Sequence, residues 1–196
     1  MAALHQLAAK VRAKPYYHNP VFQRLAQHLA LLDEGTRLGY PLARDQFMAD
    51  NMVAYRQAHP GPAILWGHNV HLAKDTTMTG YRGTGYYLRQ HYGSGCYALG
   101  LDTYQGQVNV LAQGQLVAQS FTAQPTSFSA LLAQAKYPAF FLSLTAGDTQ
   151  PFGTATYPIT NINANWTAQR ELPIRHGVDF DGLIFPRQTT ASLPLK

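Results

Sequence analysis

Residues 66–71, Trp66-Gly67-His68-Asn69-Val70-His71, bring two imidazoles and a carboxamide together at the end of a short apolar run. Imidazole is the side chain that exchanges protons near neutral pH. The preceding Ala63–Trp66 reads as a buried strand, bounded upstream by Pro60-Gly61-Pro62. A strand that turns abruptly from apolar to polar delivers its polar residues to the rim of a sheet, where open α/β folds place ligands. Singly, either histidine reads equally as a hydrogen-bonded core residue and Asn69 as a turn cap. Together they read as a site.

A second group lies upstream in Arg44-Asp45-Gln46-Phe47-Met48-Ala49-Asp50-Asn51-Met52. Steps of four, three and four residues put Arg44, Met48, Asn51 and Tyr55 on one face of a helix. That stripe carries a cation, a thioether, an amide and a phenol. A guanidinium on a partly apolar face should meet a carboxylate or a ligand anion. Asp45 falls on the wrong side of the helix to be that partner. An ordinary surface helix with a solvated arginine is the plain alternative.

Arg-Asp-x-x-Met-Ala-x-Asn followed at this separation by Trp-x-His-Asn-x-His resembles the erythromycin esterase family. The resemblance continues in Gly85-Tyr86-Tyr87-Leu88-Arg89, Tyr92-Gly93, Tyr97-Ala98-Leu99-Gly100 and Phe180-Asp181-Gly182-Leu183-Ile184-Phe185. It covers most of residues 40–187, and its first two motifs are the specific ones. It implies an α/β hydrolytic fold, with a mixed or mostly parallel sheet flanked by helices, of the kind that opens the lactone of macrolide antibiotics. It also implies roles. His71, and after it His68, would bind or polarise a substrate carbonyl or orient water, while Arg44 would stabilise developing negative charge. Asn69, Asn51 and Trp66 would contact the substrate or shape its loop. No cofactor is implied.

One departure outweighs these agreements. The family carries a Gly-Glu-x-x-His-Gly segment in its N-terminal half, whose histidine is taken to be the general base and whose glutamate orients it. No such segment occurs here, because the only glutamates are Glu34 and Glu171 and neither stands three residues before a His-Gly pair. Residue 1 therefore enters the family pattern near its middle, and the chain reads as incomplete relative to the family. Two readings follow: a carboxylic ester or lactone hydrolase of low or no activity alone, or a non-catalytic remnant or subunit needing a partner that supplies the base. A homodimer, or a partner carrying the missing half, is expected. Ala63–Trp66 and Ala139–Leu142 would be its bare strand edges.

Other chemistries are less well served. His68 and His71 lack a third ligand at a supporting spacing, so no metal is expected. Gly93-Ser94-Gly95 is not a nucleophile elbow, and Gly80, Gly83 and Gly85 lack the strand-to-helix setting and lysine of a phosphate loop. The formal charge of +5 is spread along the chain, with only a small cluster at Lys10, Arg12 and Lys14, which argues against nucleic-acid binding.

The composition, 46% hydrophobic and 13% charged over 196 residues, suits one globular domain. Charged residues are few against a usual ~25%, so apolar surface patches are expected. No run reaches the ~18 apolar residues of a membrane span, and residues 1–14 lack the core of a signal peptide. A cytoplasmic location is the default. Cys96 is the only cysteine, excluding an intrachain disulfide, and it reads as an inert strand residue.

The elements that position the site are expected as helices over 2–13, 20–33 and 42–58, a strand at 63–67, and a long Thr- and Gly-rich loop over 75–85. Helix 84–91 and strand 96–101 follow, then a hairpin of 107–111 with 116–120 about Gln113-Gly114. Helix 127–135, strand 139–142 and a sheet-closing strand at 183–185 complete the list, with 146–173 the most irregular tract.

Overall fold

The computed structural model describes residues 6–7, 9–10, 13–14, 18–27, 29, 42–78, 80–145, 155–167 and 171–193. Residues 20–27 and 29 are helical, as are 6–7 and 9–10, and residue 13 is in a turn; the rest of the two expected N-terminal helices lies outside the described residues.

Helix α1 spans Leu42–Ala58. Asp45 in its first turn and Arg56 in its last both suit the helix dipole. Asp45 and Ala49, four residues apart, are the most buried of its described side chains and mark the face turned to the interior. The apolar run 63–66 forms no strand. It is irregular and exposed, with Ile64 at 92% and Trp66 at 80%. A strand exists only where its N–H and C=O groups find a neighbour, and this run has no ladder partner among the described residues.

The chain instead turns at His68 into a single helical turn, α2 (Asn69–Leu72), and after an irregular stretch into α3 (Thr84–Tyr92). Gly85 makes this junction possible: a Cβ there would lie 2.0 Å from the Leu72 carbonyl oxygen. Cys96 follows a short 3-10 turn, Gly93–Gly95, and so precedes the strand rather than lying within it.

Among the described residues, eight strands form three small sheets. The first joins β1 (Leu99–Leu101), β7 (Gly182–Pro186) and β4 (Ala139–Ser143) in the order β1-β7-β4. β1 pairs parallel to β7, and β4 pairs antiparallel. Residues 183–185 are thus in the central strand of a mixed sheet, not its closing edge. The second sheet is the hairpin of β2 (Gln105–Ala112) and β3 (Gln115–Thr122), extended by β8 (Gln188–Thr189). Its turn has φ of 51° at Gln113 and 79° at Gly114, the doubly positive form that matches strand twist. The third pairs β5 (Thr156–Thr160) antiparallel with β6 (Glu171–Arg175), so strand pairing reaches into the tract 146–173 expected to be irregular.

The core lies between the first sheet, the β5–β6 pair and α4 (Phe128–Leu132), which is shorter than the expected 127–135 helix. Phe128, Ile159, Ile174, Leu183 and Phe185 are almost fully buried there. A polar network ties its corner. The Ser129 hydroxyl donates to Asp102, which also accepts from the Thr160 N–H at 3.1 Å and the Thr103 N–H at 2.8 Å. Lys74, almost completely buried, pairs with Asp181 at the start of β7.

Candidate active site

α1 presents Arg44, Met48, Asn51 and Tyr55 along one stripe, and the structure puts all four on the wall of a pocket of about 480 Å³. Leu65, Trp66, Gly67, His71, Leu72 and Thr84 line the rest, with Met52. That volume falls within the usual range of small-molecule sites, roughly 300–1,000 Å³.

The polar heart of the pocket is a chain of three side chains. His71 Nδ1–H donates to Asp45 Oδ1 at 2.7 Å, and Arg44 Nη2 donates to His71 Nε2 at 3.1 Å. This assigns the neutral Nδ1–H tautomer and leaves the Nε2 lone pair on the Arg44 side. Asp45 is wholly buried, and the same Oδ1 accepts from the Thr84 N–H at 3.2 Å and the Thr84 hydroxyl at 2.9 Å. α1 supplies Arg44 and Asp45, α2 supplies His71, and the N-terminus of α3 supplies Thr84. Asp45 does lie off the Arg44 stripe, but turning inward gives it the decisive partner, His71. Tyr81 also stands close: burial first, then the Asp45 carboxylate, push its phenol up from the usual value.

The other expected site residues are used differently. His68 is the N-cap of α2: its Nδ1 accepts from the Val70 N–H at 3.4 Å and its Nε2–H donates to the Ile162 carbonyl at 3.1 Å. Burial holds its pKa below the usual value, which fits this neutral role. Both nitrogens are engaged away from the pocket, so the geometry gives His68 a structural task. Asn69 is likewise occupied. Its Nδ2 donates to the Leu101 carbonyl at 2.6 Å and its Oδ1 accepts the Leu101 N–H at 3.0 Å, pinning α2 to β1. Asn51 and Trp66 line the pocket. Asp45 and Thr84 were not foreseen as site residues. Their only sequence signals are an acid adjoining the arginine and a Gly83-Thr84-Gly85 pattern suited to close helix approach. Among the described residues no three His, Cys, Asp or Glu side chains converge to hold a metal ion. No helix among them is long and apolar enough to cross a membrane.

The sequence profile described as erythromycin esterase matches residues 6–189. The chain belongs to the erythromycin esterase family. No curated protein matches it significantly. Among solved structures it resembles a Bacillus cereus protein at 22% identity and a TM-score of 0.72, covering 95% of this chain and 50% of that one. A succinoglycan biosynthesis protein matches at 20% identity and a TM-score of 0.75, over 96% of this chain and 49% of the other. A mutant erythromycin esterase in its open conformation matches at 14% identity and a TM-score of 0.58, over 98% and 51%. These likenesses show a shared α/β fold. This erythromycin esterase family member spans about half the length of the solved relatives it matches.

Proposed function

We propose that this chain carries the substrate-binding and proton-transfer side of a carboxylic ester hydrolase site, with a macrolide lactone as the substrate class. The observation that carries this reading is the Asp45–His71–Arg44 chain along the pocket wall. A buried carboxylate that fixes an imidazole tautomer is a recurring device for acid–base catalysis. A guanidinium beside it can hold an oxygen on which negative charge develops. Substrate entry would require Arg44 to exchange His71 Nε2 for the carbonyl oxygen. As water adds to the carbonyl carbon, its proton goes to a base and the C=O electron pair moves onto oxygen beside Arg44. The C=O then re-forms as the ester C–O bond breaks, and the leaving alkoxide takes a proton from His71 Nε2, whose lone pair, once released by Arg44, has first been protonated from solvent. The resemblance places the water-activating base in the Gly-Glu-x-x-His-Gly segment, which these 196 residues do not contain. General-base catalysis contributes about 10²- to 10⁴-fold, so this chain alone should open a macrolide lactone at least a hundredfold more slowly than complete relatives.

Mass spectrometry of a macrolide incubated with the purified chain is the test. Slow opening that His71→Ala abolishes supports the proposal. Turnover equal to complete relatives would make His71 itself the base, and turnover unaffected by His71→Ala would refute the site. The second reading, a non-catalytic subunit, draws on the half-length match to the solved relatives. A neighbouring reading frame encoding the Gly-Glu-x-x-His-Gly segment would favour it.

A further inference from the structure

Among the described residues, the first sheet has one face in the core and one exposed face. Leu183 and Phe185 are fully buried on the inner face, so Ile184 between them points outward. The register aligns Leu101 of β1, Ile184 of β7 and Phe141 of β4 in one row across all three strands. These side chains are 38%, 39% and 56% exposed. Leu99 stands two residues before Leu101 on the same outer face, also exposed. Tyr97 and Phe141 close over Gly182, where a Cβ would meet the Phe141 ring at 2.6 Å and the Tyr97 hydroxyl at 2.7 Å. The result is an apolar surface spanning the full width of the sheet, with a glycine keeping its centre flat.

A solvated face of a sheet normally carries polar side chains, and an apolar patch of this kind on a folded protein marks an interaction surface. The solved relatives share this fold yet are about twice as long. The formal charge of +5 disfavours packing a second copy against the first. We infer that the outer face formed by Leu99, Leu101, Phe141, Tyr97 and Ile184 docks the other half of the family fold, through an apolar surface of that half. That half would arrive on the same polypeptide or on a separate one. This inference is independent of the proposed chemistry, because it involves no pocket residue.

Co-expression tests it, since neither part then has to fold alone. The tagged 196-residue chain is produced together with the half of the Bacillus cereus relative that it does not match, and the purified material is weighed by light scattering and labelled with hydroxyl radicals. The expected result is a one-to-one complex in which labelling of Phe141 and Tyr97 falls at least about threefold relative to the chain alone. Phe141→Glu should weaken the association at least about tenfold, while the milder Phe141→Leu should preserve it. Failure of the half to co-purify, a complex with unchanged labelling, or a homodimer that shields the same residues would each overturn the inference. Esterase activity plays no part in the readout, so failure here leaves the pocket proposal standing.

Discussion

Asp45 Oδ1 accepts from three donors, His71 Nδ1–H, the Thr84 N–H and the Thr84 hydroxyl, while its Oδ2 is buried without a partner among the described residues. Removing the carboxylate strands a buried backbone N–H as well as the imidazole. Asp45→Ala should therefore destabilise the chain by about 2–4 kcal/mol. His71→Ala leaves both Thr84 bonds in place and should cost about 1 kcal/mol, shifting the melting temperature by a few degrees, yet abolish stabilisation by a bound lactone. Urea denaturation of both variants checks the order; a costlier His71→Ala would make the histidine core filler. The Arg44 stripe was legible because helical spacing translates directly into azimuth. Asp45 was not, because its value depends on Thr84, which only the packing of α3 against α1 brings near. The division of labour between His68 and His71 was hidden for a related reason. They emerge from a helical turn, where a strand end had been expected.

Elements with local signals were read well and those without were not. The β2–β3 hairpin was legible in two alternating runs about a glycine. Its turn requires positive φ at both central positions, and Gln113 adopts this less readily than asparagine. Gln113→Asn should raise stability by a few tenths of a kcal/mol, and Gly114→Ala should lower it by about 1 kcal/mol, since space is open around Gly114 and only conformation resists. Thermal melts of the two variants should move in opposite directions. The β5–β6 pair was missed because Pro158 and Pro173 face each other across it, and prolines ordinarily argue against a strand. The run 63–66 misled in the opposite sense. Its hydrophobicity states a demand for burial without naming what meets it. Gly85→Ala would separate α2 from α3 and is expected to abolish lactone-induced stabilisation although the residue touches no ligand; a retained ligand response would show that the site tolerates the shift.

Across the whole molecule, buried acids set the response to pH. Burial pushes Asp102 up to about 7, against hydrogen bonds from Ser129, Thr103 and Thr160. Asp179 is pushed up to about 6, also by burial. The folded chain thus retains a proton on Asp102 up to about pH 7 that the unfolded chain loses near pH 4, so stability falls as pH rises between those values. Burial holds His176 down to about 4, so its contribution has the opposite sign and is confined below about pH 6.5. Between pH 6.5 and 8 the melting temperature should therefore decline, and Asp102→Asn should flatten that decline; a flat wild-type profile would place the Asp102 proton elsewhere. The α/β class and family were legible because motif spacing survives divergence. The exposed outer face was foreseen only as a scarcity of charge, since which residues share a sheet row depends on pairings between distant segments.

Asn69 gives the sheet a further property. By taking both the N–H and the C=O of Leu101, a single carboxamide imitates one residue of an adjoining strand and leaves nothing there for a foreign backbone to copy. An uncapped edge of this kind is a template for fibrillar growth. The loop that carries His71 thus also acts as a chain terminator for the sheet, so Asn69→Ala should shorten the lag before thioflavin-positive aggregates form, even where the melting temperature barely changes.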